Sequence, residues 1–107
     1  MINWPAFIKL DGDHELLYIA SLEQLQSESH DLIVGEQDCI IDAKGHAYSL
    51  LTYTTTELLE RQQGIYSLED VTQLIRAHEF HKVQVCLTKI HFVTIEEAIE
   101  SLAFELG

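Results

Sequence analysis

Between Cys39 and Tyr48 the chain reads Cys-Ile-Ile-Asp-Ala-Lys-Gly-His-Ala-Tyr, two short apolar stretches closed over Asp42-Ala43-Lys44-Gly45. An aspartate opening such a turn accepts backbone N–H groups with its own side chain, and a glycine at the end takes the left-handed conformation that other residues resist. The segment therefore predicts a tight antiparallel hairpin whose second strand runs from His46 to Tyr53. The pattern puts Ile40, Ala47 and Leu51 on one face, and Cys39, Ile41, Tyr48 and Leu50 on the other. Apolar residues on both faces predict a central strand pair with cover on each side.

The rest of the chain supplies elements to build around that pair. Pro5 to Leu10 and Leu16 to Ala20 flank the turn residues Asp11-Gly12-Asp13-His14, a second hairpin. Pairing Leu10 with Glu15 sets Phe7 opposite Tyr18 and Ile8 opposite Leu17. Ser21 and Gln24 have capping-box spacing, which predicts a helix of about two turns. Leu32 to Val34 reads as a small strand. Thr54 and Glu57 repeat the capping spacing, so a short helix is expected up to Gly64. Ser67 opens the strongest helix, with Leu68, Val71, Leu74, Ile75 and His78 on one face. Val83 to Val93 reads as a strand with a bulge near Thr88. Thr94-Ile95-Glu96-Glu97 is a capping box, and Ile95, Ala98, Ile99, Leu102 and Leu106 form one apolar stripe towards Gly107. The order β-β-α-β-β-α-β-α predicts one α+β domain over residues 1–107. It is a mainly antiparallel β-sheet built from hairpins, with two to three helices packed on it.

Charge narrows the function classes. The 107 residues hold 18 Asp plus Glu against 6 Lys plus Arg, a net charge of −12, yet 47% are apolar. That apolar share excludes a disordered acidic tail, and a domain of this length buries about 65% of its unfolded surface. The scarcity of Lys and Arg argues against direct nucleic-acid binding. Residues 1–36 hold seven acids against one lysine, residues 37–64 four against two, and residues 65–107 seven against three. No run exceeds two consecutive acids. The first residues, Met1-Ile2-Asn3-Trp4-Pro5, carry no basic and apolar secretory signal, and no apolar run approaches a membrane span. Cys39 and Cys86 then read as reduced, buried thiols, and the expected compartment is the cytoplasm.

The block Ser67-Leu68-Glu69-Asp70-Val71-Thr72-Gln73-Leu74-Ile75-Arg76-Ala77-His78-Glu79-Phe80, followed by Cys86-Leu87-Thr88-Lys89-Ile90, resembles a domain-of-unknown-function family of short acidic gammaproteobacterial proteins. The Trp4-Pro5 start and the turn from Ile41-Asp42 to Gly45 are similar too, so the likeness covers most of the chain. The resemblance implies a single bacterial domain and carries no activity, cofactor or site residue.

Chemistry-bearing residues are few. His78 and His81 stand three apart near a helix end, with Cys86 and His91 beyond them, a set from which a zinc site could be drawn. The competing reading packs His78 under its helix and sets His81 against the last helix carbonyls. His78-Glu79-Phe80-His81 is not the zincin pattern, which needs the second histidine four residues on. Asp11-Gly12-Asp13 opens like a calcium loop, but the sixth position is Leu16 and the twelfth Leu22, so turn chemistry accounts for these acids. Cys39 stands among acids and Cys86 in a valine-rich stretch, settings that disfavour thiolate. There is no phosphate loop and no nucleophile elbow. The expected function is a non-enzymatic domain with no cofactor, using an acidic surface to bind a basic protein partner, with Trp4 or Tyr66 as an aromatic anchor. The alternative is a small zinc-binding or metal-dependent catalytic domain. A DNA-mimicking inhibitor, with acids in two rows on one face, is a third class.

Overall fold

The turn at Asp42 forms as its residues dictate. In the computed structural model, which describes residues 2–83 and 92–104, Gly45 N–H donates to the Asp42 carbonyl at 2.9 Å. Gly45 sits at φ +81°, and a side chain there would collide with the Tyr66 carbonyl oxygen. The turn joins β3 (Cys39–Asp42) to β4 (His46–Ser49). The first hairpin, β1 (Ala6–Lys9) and β2 (Leu16–Ile19), has the expected register, with Phe7 opposite Tyr18 and Ile8 opposite Leu17. β1 then pairs antiparallel with β3, setting Ile8 opposite Ile40 and Phe7 opposite Ile41. With β5 (Arg61–Ile65) the strand order is β2-β1-β3-β4-β5, antiparallel throughout.

Alternate side chains of this sheet feed two separate cores. Phe7, Ile41 and Ala47 point to one face, where they meet Val71 and Ile75 of α3 (Leu68–Val83) and Ala98 and Ile99 of α4 (Ile95–Ser101). Ala6, Ile8, Ile40 and Tyr48 point to the other. There they meet Leu25 of α1 (Leu22–His30) and Leu50 and Tyr53 of α2 (Leu50–Thr56). The fold is α+β as expected, and the central pair is covered on both sides by two helices each. Ile40 and Tyr48 are register partners, so they share a face, and Ala47 lies with Ile41. The expected grouping of Ile40 with Ala47 is thereby corrected: a turn that pairs Ile41 with Ala47 reverses the parity read along the sequence.

Three further expectations are overturned. Leu32–Val34 is not a strand, and Ile33 is 98% exposed in the α1–β3 loop. β4 does not continue to Tyr53, because Ser49 Oγ accepts the Thr52 N–H and starts α2 there. The helix expected from Thr54 to Gly64 therefore lies earlier. It stops early as well, since the hydroxyls of Thr54, Thr55 and Thr56 donate back to helix carbonyls, a local competition that weakens a helix. Gly64, assigned to a helix end, instead takes φ +89° inside β5, where the β4–β5 register shifts.

At the helix starts the caps hold. Ser67 Oγ accepts the Asp70 N–H, and Asp70 Oδ2 in turn accepts the Ser67 N–H. Thr94 Oγ1 accepts from Glu97 N–H. α4 ends at Ser101 in a 3₁₀ turn, Leu102–Phe104, short of the extent expected for it. The strand expected over Val83 to Val93 falls, between residues 84 and 91, outside the described residues; Val83 itself closes α3. No helix among the described residues is long and apolar enough to cross a membrane.

Candidate functional site

Two aspartates bracket β3, and both are turned inward. Asp42, at one end, is fully buried. Its Oδ1 accepts the backbone N–H groups of Lys44 and His46 at 2.9 Å each. Its Oδ2 accepts from Asn3 N–H at 2.9 Å and Asn3 Nδ2 at 3.1 Å, and Tyr48 O–H donates to it at 3.4 Å. His46 Nδ1 stands 3.8 Å from the same oxygen. A carboxylate offers about four lone-pair sites, and these donors occupy them. Burial pushes the Tyr48 hydroxyl up, and the Asp42 charge adds to this. Asp42 is thus spent on holding the turn and the N-terminal segment, with no capacity left to work on a ligand.

Asp38, at the opposite end, is 7% exposed; it closes the Gly35–Asp38 turn and also reaches the β1–β2 loop. Its Oδ1 accepts the Asp11 N–H and its Oδ2 the Gly35 N–H, both at 2.7 Å. Charge-assisted bonds this short are among the stronger ones in a protein. They pull the β1–β2 loop, with Asp11, Asp13 and Glu15, against the α1–β3 loop, with Glu36. All four carboxylates are exposed. The turn role of Asp13 is confirmed, since its Oδ1 accepts the Glu15 N–H at 2.9 Å. Ile33, the most exposed apolar residue described, stands on the same α1–β3 loop. Asp38 thereby ties together two loops that carry four exposed acids, and one of those loops also carries the exposed Ile33. Sequence reasoning passed over Asp38. The signal was its spacing from Gly35, a side chain reaching back three residues to a backbone N–H as in a capping box.

His78 is buried, and its Nδ1 accepts the Leu16 N–H at 2.9 Å. An accepting Nδ1 means that the proton is on Nε2. The imidazole thereby joins α3 to the start of β2, which matches its expected packing under the helix. Cys86, His91 and the side chain of His81 lie outside the described residues. Among the described residues no three His, Cys, Asp or Glu side chains are grouped to hold a metal ion.

Cys39 is buried between the sheet and Tyr66. Burial pushes its thiol up; Lys9 and the hydrogen bond with Tyr66 oppose that rise, and Asp38 adds to it. The result favours an inert protonated thiol. Tyr66, likewise pushed up by burial, packs half-buried against the α3–α4 core, and Trp4 packs against the α1–α2 core. Neither is the exposed anchor expected of it, because each completes the edge of a core.

A family described as a protein structure with unknown function matches residues 4–102. Among solved structures, an NMR structure of the protein from Shewanella amazonensis resembles this fold with a TM-score of 0.76 at 24% identity. The match covers 100% of this chain and 92% of that one. At that identity the likeness shows the fold alone. No curated protein matches the chain.

Proposed function

The chain belongs to this family of unknown function, and from that premise we propose that it is a non-enzymatic cytoplasmic domain whose acidic sheet end docks a basic protein. The observation that carries the reading is the Asp38 junction. It spends one buried carboxylate to tie the loop of Asp11, Asp13 and Glu15 to the loop of Ile33 and Glu36. Charges held on tied loops steer a basic partner and raise its association rate at low salt, while the apolar tip supplies area to bury. The net charge of −12 repels nucleic acid and leaves a basic protein surface as the complementary target.

The test is capture from native lysate at low and high salt with two charge-reversed variants. One carries Asp11→Lys, Glu15→Lys and Glu36→Lys; the other carries Glu69→Lys, Glu96→Lys and Glu100→Lys on α3 and α4. The reading expects a basic protein that is captured at low salt, released at high salt, lost with the first variant and kept with the second. Equal loss with both variants overturns it. So does a rise in melting temperature on adding Zn²⁺ that His81→Ala or Cys86→Ala abolishes, which would transfer the chain to the metal-binding class.

A further inference from the structure

We draw no further inference here: the strongest candidate, the open cleft of about 260 Å³ between the β1–β2 loop and α3 lined by Lys9, Asp13, His14, Leu16, Leu74 and Ala77, joins one half-buried lysine and exposed loop side chains to the edge of the core, and nothing in the structure shows what covers it.

Discussion

Asp38 and Asp42 are the same residue type, four positions apart, at the two ends of one buried strand, and they do opposite work. Asp42 is wholly buried and draws donors from its own turn, from the N-terminal segment and from Tyr48. Asp38 stands at the rim and draws one donor from a loop 27 residues earlier and one from Gly35. The first is used up in making the fold. The second uses its bonds to tie down loops whose acids remain exposed. A buried carboxylate is thus no sign of function by itself; what its partners leave exposed is the informative part.

The largest effect that would break this contrast is expected at the closed end. Asp42→Ala leaves the N–H groups of Asn3, Lys44 and His46 without their acceptor, each a desolvation penalty, and should cost about 4 kcal/mol in urea unfolding. A loss below 1 kcal/mol would mean that water replaces the carboxylate and that Asp42 is no centre of the fold. Asp38→Ala removes two such bonds at a wetter site and should cost about 1.5 kcal/mol. Its distinctive signature is faster amide exchange at Asp11 and Gly35 and a weaker salt-sensitive capture. Unchanged exchange at those two amides would detach the acidic loops from Asp38.

The smallest effect sharpens the comparison through Cys39, beside Asp38. Burial holds the folded thiol above its ordinary value of 9.0. As pH rises past that value the unfolded chain releases the proton first, so the folded state binds more protons and stability falls with rising pH. Tyr48, Tyr53 and Tyr66 are raised in the same direction from 10.0. Cys39→Val should flatten the first part of this alkaline decline while leaving stability at pH 7 nearly unchanged. An identical decline in Cys39→Val and wild type would assign it to the tyrosines.

Legibility followed the range of the interaction. Ser67, Asp70, Thr94 and Glu97 cap as their spacing implies, since donor and acceptor are three residues apart. The Phe7–Tyr18 register followed from the turn between them. The segment from Ser49 to Ile65 misled, because Leu50 and Tyr53 lie in a threonine-rich run that favours strand until Ser49 caps a helix. β5, Arg-Gln-Gln-Gly-Ile, shows almost no apolar pattern at all, and its place in the sheet comes from backbone pairing with β4. The acidic surplus of the first third was legible, but the Asp38 junction that collects part of it was not, since its Asp11 partner is 27 residues away.

By itself, then, the sequence determined the Asp42–Gly45 turn, the first hairpin, the caps of α1, α3 and α4, the two-sided burial of β3 and the α+β class. These rest on contacts within a few residues or on simple periodicity. Tertiary structure alone decided which face Ala47 and Tyr48 take, where α2 begins and which loops Asp38 ties together. Each of these depends on groups far apart in the chain arriving at one place, and no local propensity encodes that meeting.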